Sequence, residues 1–194
     1  MSDFVFYFKL GLYHVLDLNA YDHMLFLTAL AIPFSFKDWK KVFILVSIFT
    51  IAHCVSLALS ASNIIRVNTD LIEFIIPLTI LATAISNIYF EYRPGLDSKK
   101  YLLGVSTMIF GFVHGFGFSN YFNMIIAGEV EFTKALLSFA TGIELAQLLI
   151  ILFVLSLSYL SVSGLNIKQS TKTIFISTAI GLMTLPMLLK SWPF

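Results

Sequence analysis

The sequence predicts an all-α, polytopic transmembrane helix bundle forming a single integral membrane domain over residues 1–194. Three observations carry that expectation. Hydrophobic residues make up 58% of the chain and charged residues only 12%, against about 25% charged in soluble domains. A soluble core cannot hide so much apolar surface in a chain of this size, so lipid is the expected solvent. The apolar residues gather in six long stretches, 20–36, 39–61, 71–92, 101–122, 132–160 and 173–189. Each is near the ~20 residues that cross a bilayer core.

The elements follow in order. The N-terminal piece, 4–16, is apolar but short and contains Lys9. It reads as an interfacial helix lying on the membrane or as the first half of a broken span. It lacks a basic run and a small-residue cleavage motif, so it is expected to be mature sequence and not a signal peptide. The stretch 20–36 is the shortest of the six. The turn Ser35-Phe36-Lys37-Asp38 leads into 39–61, and residues 62–70 lead into 71–92. The cluster Arg93-Pro94-Gly95-Leu96-Asp97-Ser98 is a turn before 101–122. Residues 127–131, with Glu129 and Glu131, precede 132–160, and residues 163–170 precede 173–189.

Basic residues set the expected orientation. The links after the first, third and fifth stretches and their edges hold Lys37, Lys40, Lys41, Arg93, Lys99, Lys100, Lys168 and Lys172. The other side holds Lys9, Arg66, Lys134 and Lys190. Eight against four places the first set in the cytoplasm, with both termini outside if 4–16 does not span. The net charge of +1 and the absence of polybasic runs give no hint of nucleic-acid binding, and no such partner is expected. The expected partners are the lipid bilayer and a metal ion or small substrate. Cys54 is the single cysteine, so no intramolecular disulfide forms.

Ionisable groups inside a bilayer cost a few kcal/mol each and are functional candidates by default. Here they are His14, Asp17, Asp22, His23, His53, Glu73, His114 and Glu144, with Asn87, Asn120 and Gln147 as polar neighbours. The expected topology puts nearly all the ionisable ones in the outer half, although they did not enter the choice of orientation. Imidazole with carboxylate is the ligand set of divalent transition metals such as zinc and nickel. The candidate ligands are His23, His53 and His114, with Asp22 and Glu144 as carboxylate partners. His14, Asp17, Glu73, Ser56 and Gln147 are outlying candidates. The helix of His14 is short enough to lie at the interface. Asp17 and Glu73 stand near helix N-termini, where a carboxylate also stabilises the dipole. Ser56 and Gln147 stand three residues after His53 and Glu144, on the same helix faces. Gly111 and Gly115 form a GxxxG pair beside His114, which allows close approach of another backbone.

Five segments occur in order: His14 with Asp22-His23, Thr50-Ile-Ala-His53-Cys-Val-Ser56, Leu71-Ile-Glu73-Phe-Ile-Ile-Pro77, Phe110-Gly-Phe-Val-His114-Gly-Phe-Gly-Phe118 and Gly142-Ile-Glu144-Leu-Ala-Gln147. The ordered set resembles a divergent branch of the HupE/UreJ family of bacterial membrane proteins, over about three-quarters of the chain. Members of that family are described as accessory proteins of hydrogenase and urease clusters and as nickel or cobalt permeases. The resemblance implies a bacterial inner-membrane protein for divalent-metal uptake.

Three functions fit these residues. The first is a divalent-metal permease whose multiple weak sites replace hydration water and still permit release. No ATP-binding motif is present, so transport is expected to be passive, ion-coupled or dependent on a partner. The second is a zinc-dependent intramembrane hydrolase for a lipid or lipid-linked substrate, with Glu144 as general base. The third is a haem-binding electron carrier with paired histidines as axial ligands.

Overall fold

The computed structural model describes residues 3–93, 98–127 and 131–193. The expected turn at 94–97, the loop position of Glu129 and the side chains of Lys99 and Lys100 lie outside the described residues. Among the described residues the chain is helical, with seven α-helices: α1 Asp3–Leu16, α2 Asp22–Ala31, α3 Trp39–Ala61, α4 Thr69–Tyr92, α5 Ser98–Ile125, α6 Phe132–Tyr159 and α7 Gln169–Lys190. A 3-10 turn, Phe36–Asp38, leads into α3, and a π turn, Leu160–Gly164, ends α6.

Among the described residues four segments are long and apolar enough to cross a membrane: Phe36–Ala61, Thr69–Tyr92, Phe132–Gly164 and Gln169–Lys190. Their outward faces are apolar, with Ile44, Ile51, Ile85, Leu152, Phe175 and Leu182 all exposed. An exposed hydrocarbon surface of this kind needs lipid around it. Aromatic residues mark the two ends, as membrane interfaces favour: Trp39, Tyr92 and Tyr159 at one, Tyr121 and Trp192 at the other. We call the second the N-terminal end, because Asp3 and Phe4 share a cavity there with Glu131 and Lys134.

The expected first span departs from the structure. In place of a helix over 20–36 there is a ten-residue helix, α2, about 15 Å long and too short to cross alone. It stands in series with α1. The α1 backbone presses on the first half of α6, where Gly11 faces Phe139 and Gly142 faces Phe8. Met24 and Thr28 of α2, with Ile32 just beyond, share a groove with Leu149, Phe153 and Ser158 in the second half of α6. Together the two helices form a helix–break–helix unit interrupted at 17–21.

A break between two helices leaves backbone groups that need partners. Asp17 supplies them on one side: its carboxylate accepts from the Asn19 N–H at 2.9 Å, and its carbonyl accepts from the Ala20 N–H at 3.2 Å. The Asp22 carboxylate accepts from the His23 N–H at 2.8 Å. At the far end of α2, Gln169 donates to the Ile32 carbonyl just past the helix at 3.0 Å, and Asn87 donates to the Ala29 carbonyl in its last turn at 2.7 Å. Side chains of α4 and α7 thus satisfy carbonyls that the short helix leaves open.

Two glycine contacts bring the site together. The expected approach at Gly111 and Gly115 occurs against α3: a side chain at Gly111 would meet the Phe49 carbonyl at 2.6 Å, and one at Gly115 would strike His53 and Ser56. The second contact, Gly11 with Gly142, docks α1 on α6 and was not evident in the sequence. A methyl group on Gly142 would collide with the Phe8 carbonyl and would lie 2.8 Å from the Leu12 nitrogen. Gly142→Ala is therefore expected to push α1 off α6 at a cost of about 1–3 kcal/mol. A clearly lower melting temperature in detergent, with His14 no longer protected from modification by diethyl pyrocarbonate, is the expected result. Unchanged melting and protection would refute it.

Candidate metal centre

The four histidines arrive from four different helices. His14 lies in the last turn of α1, His23 in the first turn of α2, His53 in the second half of α3 and His114 in the middle of α5. Their rings nevertheless converge. Ring centres are 4.7 Å apart for His14 and His23, 4.6 Å for His23 and His114, 5.6 Å for His14 and His53, and 6.2 Å for His23 and His53. His23, His53 and His114 are buried. His14 is only half-buried as a residue, but its Nε2 is fully enclosed.

One carboxylate serves two of the rings. Asp22 Oδ1 lies 3.1 Å from His23 Nδ1, and Asp22 Oδ2 lies 3.3 Å from His114 Nε2. The first contact is a hydrogen bond, while the second is close but not aligned as one. A carboxylate accepting from Nδ1–H fixes the His23 tautomer and leaves the Nε2 lone pair free. That Nε2 has no hydrogen-bond partner, and neither do His14 Nε2, either ring nitrogen of His53, or His114 Nδ1. Buried polar atoms are nearly always paired, so so many orphaned imidazole nitrogens in one place call for a shared ligand. One ligand atom each from Asp22, His23 and His114 lies within 4.8 Å of the others, a separation that a single transition-metal ion spans. The donor chemistry and the orphaned nitrogens both fit zinc or nickel.

Phenyl rings line the cluster. Phe110 stacks on His114 at 3.9 Å, and Phe118 lies 3.9 Å from His14. Phe49 sits 5.7–6.0 Å from His23, His53 and His114. This shell packs hydrocarbon against the rings and lowers the dielectric around them, which strengthens any ion–ligand attraction. Sequence reasoning missed the shell, although Phe110, His114 and Phe118 recur at fours on one face of α5.

The outlying candidates divide. Glu73 is exposed and lines a cavity of about 300 Å³ at the N-terminal end, together with Asn19, Tyr21, Asp22 and Lys190. That cavity reaches the carboxylate of the histidine cluster. Asp17 caps the break through Asn19. Ser56 donates to the His53 carbonyl at 2.8 Å, so it supports the helix that carries His53.

The structure puts Glu144 in a different group. Its carboxylate accepts from Ser47 Oγ at 2.7 Å and also from Thr50 Oγ1, and Thr50 lies 2.9 Å from Gln147 Oε1. This set joins α3 to α6. Ser47 and Thr50 were not singled out, but Ser47, Thr50 and His53 recur at threes on one face of α3. Thr50 is one turn from His53, so the oxygen-rich set adjoins the imidazole set on α3.

The chain matches the family model described as HupE / UreJ protein over residues 1–192. No curated protein and no solved structure matches it.

Proposed function

The chain belongs to the HupE/UreJ family, and from that premise we propose that this metal-related membrane protein is a permease for a divalent transition metal, nickel, cobalt or zinc. The observation that carries the reading is the convergence of four imidazoles and Asp22 with their ligand nitrogens unpaired. Six crossings would follow, with α1 and α2 together making the first. The excess of lysine and arginine at the opposite end supports placing that end in the cytoplasm and the N-terminal end outside. The membrane would then be a bacterial inner membrane, as the resemblance implies.

In this reading the ion is cargo. Glu73 and Asp22 draw it from the outer vestibule by charge. His23 and His114 take it up, and His14 and His53 complete the set. The oxygen group of Glu144, Thr50, Ser47 and Gln147 is the next polar step toward the cytoplasmic end. Thiolates are absent from both groups, so each exchange replaces one moderate donor set by another and the ion stays mobile. The hydrolase reading uses Glu144 as base, but its carboxylate is engaged by Ser47 and Thr50, which favours the permease.

The test is flux of radioactive nickel, cobalt or zinc into proteoliposomes. Accumulation that depends on the protein is expected for at least one of the three, and none for any would overturn the permease. Glu73→Gln is expected to slow uptake severalfold at low ionic strength, through weaker attraction of the cation, with equilibrium binding unchanged. Equal rates in the two proteins would remove Glu73 from the path.

A further inference from the structure

A groove of about 420 Å³ runs between α2, α6 and α7. It does not belong to the metal centre. Its sides are apolar, formed by Met24, Leu149, Phe153 and Leu157, of which Leu149, Phe153 and Leu157 are exposed on the lipid-facing side. It follows α2 from Met24 to Ile32, roughly 12 Å at 1.5 Å per residue. At the end near Ile32 stands Lys172, only 5% exposed. Its Nζ donates to Ser158 Oγ and, at 2.8 Å, to Gln169 Oε1. Among the described residues no carboxylate lies within ion-pair distance of it. Glu91 is the acid whose field reaches it, from further away.

An ammonium in this position is expensive. Buried charges are ordinarily paired, and a lysine facing hydrocarbon ordinarily reaches out to the interface. Lys172 instead points into a groove whose shape suits hydrocarbon. Its two hydrogen-bond partners are neutral, and Glu91 acts on it only from beyond ion-pair distance, so among the described residues no carboxylate pairs with it. The missing element is an anion attached to an apolar chain.

We propose that this groove is a binding site for an anionic phospholipid, one acyl chain lying along α2 and the headgroup phosphate on Lys172. The site is independent of the metal reading. It agrees with the charge pattern of the chain, because Lys172 belongs to the basic end, and the cytoplasmic leaflet carries the anionic lipids. The lipid would hold the short helix α2 against α6 and α7, replacing contacts that a full-length span would make for itself.

The experiment is native mass spectrometry of the full-length protein in detergent, with phosphatidylglycerol and phosphatidylcholine of matched chains added. Retention of phosphatidylglycerol about fivefold above phosphatidylcholine is expected, the effect of one lysine on an anionic headgroup. Lys172→Gln should abolish the preference and Lys172→Arg should keep it. Lys168→Gln, a change at an exposed neighbour, should leave it intact. Thr28→Trp, which fills the groove, should reduce retention of both lipids. Equal retention of the two lipids by the wild type would overturn the proposal. So would a preference that survives Lys172→Gln, or displacement of the lipid by inorganic phosphate, which would mark a free-anion site. If Lys172→Gln does not fold, loss of retention in Thr28→Trp with the preference kept in Lys172→Arg supports the site, and unchanged retention in Thr28→Trp refutes it.

Discussion

His114→Ala is expected to lower the affinity for nickel or zinc by more than about a hundredfold. A change that only disturbs a ligand's supporting hydrogen bonds costs about 10–100-fold, and His114 is placed to be a ligand itself. It is buried, its Nδ1 has no partner, and it belongs to the three-residue set whose ligand atoms converge. A hundredfold loss corresponds to about 2.7 kcal/mol. The variant also leaves space against Phe110 and His23, so folding is checked by thermal melting without metal. Isothermal titration with nickel and zinc reads the affinity. A loss below threefold in a folded variant would show that His114 is packing and not a ligand. Binding by the wild type should weaken as pH falls, because a protonated imidazole offers no lone pair and metal binding releases protons.

Asp22→Asn is expected to weaken binding about tenfold to a hundredfold. The amide nearly matches the carboxylate in shape but not in charge. It loses the negative charge beside the cation and gives up one of two acceptor oxygens. Those oxygens face His23 and His114, so the amide must turn its NH2 toward one of the two rings, and the bond that orients His23 survives only if the oxygen stays on that side. Asp22 also accepts from the His23 N–H at the start of α2. Part of the effect is therefore expected on α2 itself, seen as faster amide hydrogen exchange over 22–26. Affinity within twofold of wild type, at pH 7 and low salt, would contradict this role.

Much of this architecture was legible in the chain. The expected stretch 39–61 coincides with α3, and 132–160 differs from α6 by one residue. Each is a long apolar run with a turn on either side, and lipid removes the need for an amphipathic pattern. The stretch 20–36 was misjudged because its ends depend on distant partners. Gln169 and Asn87 accommodate the short α2, and they lie 137 and 58 residues from their acceptors. No local pattern marks such bonds.

The candidate site was legible in its residue types and less so in its grouping. Cost of burial alone singled out the histidines, Asp22 and Glu144. Grouping them required knowing which helices touch. His14 was an outlying candidate because its helix is short, and it joins the cluster through Gly11 on Gly142, a contact between elements far apart in sequence. Glu144 was expected among the metal ligands, and its hydrogen bonds run to α3 instead, where Ser47 and Thr50 offer hydroxyls. A carboxylate's depth can be read from sequence, but its direction depends on the neighbouring helix.

We propose that the imidazoles of α1, α2, α3 and α5 share one ion, extending the set of Asp22, His23 and His114 whose ligand atoms converge. X-ray absorption spectroscopy of the purified protein loaded with one equivalent of zinc or nickel tests it most directly. A shell of nitrogen and oxygen at about 2.0–2.2 Å is expected, with the multiple-scattering signature of at least two imidazoles and no sulfur. A sulfur scatterer at about 2.3 Å, which only Cys54 or a methionine can supply, would contradict it, and so would an oxygen shell without imidazole.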